Sequence, residues 1–214
     1  MKKGMGLVLT LAFISNIAFA QLVISEVFEP NGGTAKFVEI HNLGMSPVDL
    51  AAGDWELHRF TNAGATVSAT IDLTGTIPAG GFFVVGDPEV DTLFGMGTLD
   101  LSDTNVNHNG NDKYRLIQNA STTADIVDSF AGDNIGDATN FAVNCTAFRR
   151  LAAIPNNGDW GSTTQPANGA NSTSGNWVLF DITGSNANAL TTATPGAAGG
   201  AGEVPVELMQ ISIE

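Results

Sequence analysis

The stretch Leu22 to Asn42, LVISEVFEPNGGTAKFVEIHN, decides the fold. Both halves are rich in β-branched and aromatic residues. Between them Pro30-Asn31-Gly32-Gly33 supplies the residue types that reverse a chain, Pro by presetting φ and Gly by tolerating φ > 0. The pattern predicts adjacent strands over 22–28 and 36–42, with I-S-E in the first and K-F-V-E-I-x-N in the second. Glu26 and Glu39 then stand at corresponding ends of neighbouring strands. A carboxylate buried in a strand persists only when it is paired or hydrogen-bonded, so the pair is expected to accept backbone or Arg hydrogen bonds where the sheet closes.

Upstream lies a secretory signal over residues 1–20. Lys2 and Lys3 give the positive region, Leu7 to Ile14 the apolar run, and Ala18-Phe19-Ala20 the small-x-small cleavage site. The apolar run is too short for a membrane span. Export with cleavage before Gln21 is therefore expected, giving a secreted or cell-surface protein with no integral membrane segment afterwards. Losing Lys2 and Lys3 lowers Lys+Arg from 8 to 6 against 22 Asp+Glu and moves the net charge from −14 to −16. Such a surface repels phosphate backbones, which excludes direct nucleic-acid binding from the expected functions. It suits solubility in salty water or cation binding. The single cysteine, Cys145, allows no intramolecular disulfide, so the fold must rely on packing.

Downstream, turn-rich separators such as Gly44-Met45-Ser46-Pro47, Pro78-Ala79-Gly80-Gly81 and Asn109-Gly110-Asn111-Asp112 divide further β-prone runs over 54–60, 66–73, 81–86, 112–118 and 124–130. Alternation within the first of these places Trp55, Leu57 and the stem of Arg59 on one face. Seven short strands over about 110 residues fit a β-sandwich, and no helical crossover is visible that a parallel sheet would need. The chain thus divides into the signal (1–20), an all-β sandwich (21–131) and a loop-rich extension (132–182). In the extension Trp177-Val178-Leu179-Phe180 is the run suited to dock back. A low-complexity Gly/Ala/Thr/Asn stretch (183–203) reads as a flexible linker, and 204–214 as a strand-prone tail.

Six elements in this order resemble the bacterial lamin-tail domain family. They are Ile24-Ser25-Glu26; Lys36-Phe37-Val38-Glu39-Ile40-His41-Asn42; Pro47-Val48-Asp49-Leu50 leading to Trp55; and Thr76-Ile77-Pro78-Ala79-Gly80-Gly81 followed by Phe82-Phe83-Val84-Val85. Asn109-Gly110-Asn111-Asp112 with Tyr114-Arg115-Leu116, and then Ala124-Asp125-Ile126-Val127-Asp128, complete the series. The resemblance implies an immunoglobulin-like β-sandwich, with Glu26, Phe37, Glu39, Asn42, Trp55, Gly80, Gly110 and Asp128 as its fold signature. It implies a domain that binds or bridges and does not catalyse. Val204-Pro205-Val206-Glu207-Leu208 resembles the segment that precedes C-terminal sorting domains of bacterial surface proteins, so the tail reads either as a sorting remnant or as a structural strand.

Little in the chain asks for chemistry. His41 and His58 fall on predicted strands and His108 in a turn, with no HxH, HExxH or GxSxG pattern around them; all three are expected to be isolated surface histidines. Glu26 and Glu39 would serve a small hydrolase only if held about 5–9 Å apart in a cleft. Asp103, Asn105, Asn107 and Asp112 are the calcium candidates, but the D-x-[DN]-x-[DN]-G register fails and no Glu closes the loop. A tight hairpin turn explains Asn109-Gly110 equally well. No cofactor is expected. Arg149-Arg150 is the one basic cluster and is expected to pair with acids such as Asp159. Trp55 and one of Phe82 and Phe83 are expected in the core.

The resulting expectation is an exported, non-catalytic module that mediates extracellular or cell-surface contacts with a protein, matrix or surface polymer, through sandwich edges and end loops. The alternative is an accessory module for an extracellular nuclease or phosphodiesterase, since lamin-tail modules accompany such enzymes on longer chains. A small hydrolase using Glu26 or Glu39 is the weaker alternative.

Overall fold

The computed structural model describes residues 22–30, 32–130, 145–149, 172–174, 177–181 and 193–196. The signal (1–20), most of the 132–182 extension and the 204–214 tail lie outside these residues, as do Arg150, Asp159 and the side chains of Cys145 and Arg149.

The seven expected strands are present as β1 (Leu22–Phe28), β2 (Phe37–Asn42), β4 (Glu56–Phe60), β5 (Ala69–Asp72), β7 (Phe82–Gly86), β9 (Lys113–Gln118) and β10 (Asp125–Phe130). Between them lie pieces too short to show a period: β3 (Val48–Asp49), β6 (Thr76–Ile77), β8 (Leu101–Ser102) and one six-residue helix, α1 (Glu89–Phe94). The extension expected to be loop-rich contributes three more strands, β11 (Cys145–Arg149), β12 (Ser172–Ser174) and β13 (Trp177–Asp181).

These strands make two main sheets and a two-stranded ribbon. The larger sheet has the order β12-β13-β11-β1-β2-β7-β8, the smaller β10-β9-β4-β5, and the ribbon pairs β3 with β6. All pairings are antiparallel except β7 with β8. The fold is all-β, an immunoglobulin-like sandwich.

The main core fills the space between the sheets, as face-to-face packing of two pleated sheets requires. Leu22, Ile24, Val27, Val38, Ile40 and Val85 come from the larger sheet, and Leu57, Ile71, Tyr114, Leu116 and Phe130 from the smaller. Trp55 and Phe83 join them, whereas Phe82 stays half-buried, so one of the two phenylalanines lies in the core, as alternation requires. Gly53 carries no side chain for a steric reason: a Cβ there would stand 2.4 Å from the Trp55 indole nitrogen.

The larger sheet is apolar on its outer face too. Phe28, Phe37, Val84 and Val90 form a second cluster there. Phe28 stacks on Phe37 with centroids 5.2 Å apart, and Phe94 of α1 meets both rings edge-on, the arrangement that suits the aromatic quadrupole. Ala193, from the stretch expected to be a linker, belongs to this same cluster.

Trp177 shows how far the sandwich depends on the later strands. Its side chain is fully buried in the main core, and its ring meets Phe130 edge-on at 4.9 Å. Residue 177 belongs to a strand hydrogen-bonded to β11. Truncating a buried aromatic removes both transfer energy and packing. Trp177→Ala is therefore expected to lower stability by about 3–5 kcal/mol, read as a reduced urea midpoint at unchanged slope. An unchanged midpoint would contradict the placement of β13 in the core.

Candidate functional site

The I-S-E motif owes its effect to an extra residue. In β1 the register with β2 runs Ile24 to Ile40 and then Glu26 to Glu39, leaving Ser25 as a bulge. Side chains in a strand alternate between faces, so without the bulge Glu26 would share the inward face of Ile24. The extra residue sends Glu26 outward, directly opposite Glu39, while Val27 and Val38 return to the core.

The two carboxylates are buried at 0% and 1% exposure, and their acceptors are spent on the chain itself. Thr146 Oγ1 donates to Glu26 Oε1 at 2.7 Å, and the Thr194 N–H reaches both Glu26 oxygens at 3.3–3.4 Å. Ser25 Oγ donates to Glu39 Oε1 and the Gly196 N–H to Glu39 Oε2, each at 2.6 Å. Burial, then the facing Glu39 charge, hold the Glu26 carboxyl well above its ordinary value near 4.5, and the Thr146 and Thr194 hydrogen bonds only partly offset this. The expected acceptance of backbone hydrogen bonds is found, and Ser and Thr hydroxyls add to it.

The second bulge of the structure serves the first. In β10 the register shifts between Ile126 and Asp128, which turns Asp128 to the face of Leu116 and Phe130. Its Oδ2 accepts the Ile24 N–H at 2.7 Å in the interior. Among the described residues β11 pairs with β1 from Glu26 onward, and Asp128 adds a side-chain acceptor for the β1 backbone on the other side of the bulge.

The other signature residues shape turns. Asn42 is buried, its amide nitrogen donates to the carbonyls of Ser46, Ile77 and Pro78, and its Oδ1 accepts the Gly44 N–H. Phe37 and Trp55 are core residues, and Gly80 supplies a φ of +68° in the turn before β7. Gly110 lies in a turn closed by the Asp112 N–H on the Asn109 carbonyl. That turn does not join a hairpin, because β9 pairs with β10 and β4 and not with β8, the strand that leads into the turn.

The histidines correct the sequence expectation in one case. His41 is half-buried and stacks on Phe82 with centroids 4.2 Å apart, its ring kept less basic than usual by burial. His58 is half-buried and contacts Glu56. His108, expected at the surface, is 3% exposed. Its Nδ1 faces Tyr114 Oη and its Nε2 faces the Phe28 carbonyl, each at 2.9 Å. A carbonyl can only accept, so the ring is the Nε2–H tautomer, with Nδ1 taking the tyrosine proton. Burial and then the nearby Lys36 charge push its pKa down to about 3.

Around His108 the ends of the two sheets meet through charges. Lys36 Nζ donates to the His108 carbonyl and lies 3.8 Å from Glu29, whose carboxyl burial raises to about 7. Arg59 sits 3.7 Å from Asp112. Asp112 itself accepts the Asn62 and Asn109 N–H groups.

The two acidic calcium candidates accept backbone hydrogen bonds from the chain itself. Asp103 Oδ1 accepts the Asn105 N–H, Asn105 and Asn107 are exposed, and Asp112 is committed as above. No group of three or more His, Cys, Asp or Glu converges among the described residues. A groove of about 530 Å³ lies between the β1–β2 connection and α1, lined by Pro30, Gly33, Thr34, Ala35, Glu89, Thr92 and Leu93. It contains neither Glu26, Glu39 nor a histidine. Thr146, Thr194 and Gly196 were missed from sequence; the one signal for the last two is Thr-Pro-Gly inside an otherwise featureless stretch.

Two outcomes follow. His108 is expected to keep its neutral Nε2–H form down to about pH 3, read from its ring nitrogen shifts. Because the unfolded ring takes up a proton near 6.5 and the folded one does not, stability should fall as pH drops from about 6.5 towards 3, by up to about 1.4 kcal/mol per pH unit. A ring titrating near 6.5 would refute this. Calcium and a chelator are expected to give the same melting temperature, since only a ligand bound to the native state raises it.

Comparison with known proteins agrees with this geometry. No curated protein matches the chain. The family model described as Lamin Tail Domain matches residues 15–131, a little over half of the sequence, and covers both bulges, the acidic pair and every signature residue. The chain belongs to the lamin tail domain family.

Proposed function

We propose that this chain is an exported lamin-tail module that binds a protein, matrix component or surface polymer outside the cell and performs no catalysis. One observation carries the non-catalytic part: Glu26 and Glu39, the acids best placed for chemistry, are buried and already accept donors from Ser25, Thr146, Thr194 and Gly196. A general acid or base must be within reach of the proton it transfers, and covered carboxylates are not. The export part rests on Lys2 to Ala20 of the sequence, and the acidic surface argues against phosphate-bearing partners.

The contact surface in this reading is built from edges and loops. β5 and β10 are the two outer strands of the smaller sheet. Ile126 on β10 is 50% exposed and Val67, just before β5, 45%. Met45 and Met96 project from loops at 81% and 89% exposure. Outer strands and end loops offer backbone donors and acceptors to a partner, and exposed apolar side chains add contact area.

The test is retention from culture supernatant by the immobilised protein, run beside Val67→Asp and Ile126→Asp. A protein or polysaccharide held by the parent and lost on these substitutions is the expected result. Retention of DNA would instead favour an accessory role beside a nuclease, and no retention at all would overturn the binding reading.

A further inference from the structure

The smaller sheet ends in a strand that turns part of its backbone outward. Among the described residues β5 pairs with β4 alone, whereas β10, the other outer strand, is tied to β1 by the Asp128–Ile24 hydrogen bond. The Leu73 N–H donates to the Trp55 carbonyl at 2.9 Å, which fixes the hydrogen-bonding register of the pair. Counting back by twos, Ile71 and Ala69 also turn their backbone groups towards β4. Thr70 and Asp72 therefore turn their N–H and C=O groups away from the sheet, and both residues are exposed. We propose, resting on the binding role given above, that this edge accepts an extended segment of a partner protein as an added strand. That segment alternates apolar and basic residues and lays a Lys or Arg beside Asp72.

The alternation follows from the two faces of β5. Ile71 and Leu73 are buried in the main core, and the side chains of Thr70 and Asp72 lie on the outer face. Side chains of an added strand alternate in the same way, one set falling beside the core and the other beside Thr70 and Asp72. Apolar residues suit the first set, and Val67, just before β5, adds exposed apolar surface next to it. Charge selects the second. Asp72 stands opposite Glu56 of β4, in a pair that shares no hydrogen bonds and so brings its side chains closest. Like charges directly opposite each other destabilise a sheet. His58 Nε2 meets Glu56 at 2.5 Å, and Asp72 is the exposed carboxylate at the rim. A Lys or Arg on the next strand relieves that repulsion.

The charge of the whole chain favours a basic partner over a second copy. With 22 Asp and Glu against 8 Lys and Arg, each molecule carries −14. Two copies therefore repel, while a basic segment is drawn in. Backbone hydrogen bonds supply affinity in strand addition, and the side-chain positions supply selectivity. Thr70 and Asp72 offer one N–H and one C=O each, so the bound segment is expected to exchange rapidly. Salt is expected to weaken it by screening the exposed Asp72 contact.

An alternating Val-Lys decapeptide added to the intact chain tests this, with a Val-Glu decapeptide as control. The basic peptide is expected to slow hydrogen exchange at the Thr70 and Asp72 amides, and the acidic one to leave both unchanged. Thr70→Pro removes an outward N–H without touching the β4 ladder, so the variant should fold and lose the effect. Asp72→Lys should weaken the basic peptide about two- to fivefold, the range of one exposed ion pair. Equal protection by both peptides, no protection by either, or protection that survives Thr70→Pro would overturn the proposal. So would slow exchange of both amides before any peptide is added: in a monomer the chain's own tail then fills the edge, and in a dimer a second copy does. The edge and the binding role fail separately. Retention from supernatant that persists in Thr70→Pro overturns the edge and keeps the binding role, whereas a parent chain that retains nothing overturns both.

Discussion

The structure depends on one displaced residue, the Ser25 bulge in β1. Because strand side chains alternate between faces, a single insertion exchanges inside and outside for everything beyond it. Here it allows Leu22 and Ile24 to face the main core on one side of the bulge and Val27 to do so on the other, with Glu26 turned out between them. The bulge has consequences on both faces. Inside, the Ile24 N–H takes the carboxylate of Asp128, itself turned inward by a bulge in β10. Outside, an acid is set beside another acid. Removing Ser25 would bring Glu26 inward, where no donor set awaits it, so the motif I-S-E is a requirement of packing before it is anything else.

This constraint explains why the sandwich is not finished at residue 131. A seven-stranded sheet that is apolar on both faces needs two covers. The smaller sheet covers one face, and α1 with residues 193–196 covers part of the other. β11 satisfies the outer edge of β1 and brings Thr146 to Glu26, and β13 brings Trp177 to Phe130. The family match spans the signature, whereas the side chains and amides that satisfy the signature acids come partly from beyond it.

The legible part of the sequence is the part written in local pattern. Seven strands were readable because each has alternation or β-branched content between turn residues, and their limits differ from the expected ones by three residues or fewer. β3, β6 and β8 have two residues each and α1 less than two turns, too little to establish a period. β12 sits in polar sequence and β11 in a short mixed run with no clear alternation, and both are paired by neighbouring strands that supply their hydrogen bonds. The facing of Glu26 and Glu39 could be anticipated from two strands, but their coverage could not. Thr146 is 120 residues from Glu26 and Gly196 is 157 from Glu39. His108 was misjudged for the same reason: its partners are Tyr114, six residues on, and a carbonyl 80 residues back.

Distance along the chain separates these contacts. The β1–β2 ladder closes a short connection, while residues 193–196 reach back across well over a hundred residues. Closure entropy grows only slowly with length, so each doubling of the connection adds only about 0.6 kcal/mol to its cost. Thr194 and Gly196 meet the two carboxylates through backbone N–H groups, which any sequence but proline supplies. The Ser25 bulge, by turning Glu26 outward opposite Glu39, is what sets both acceptors beneath this far segment.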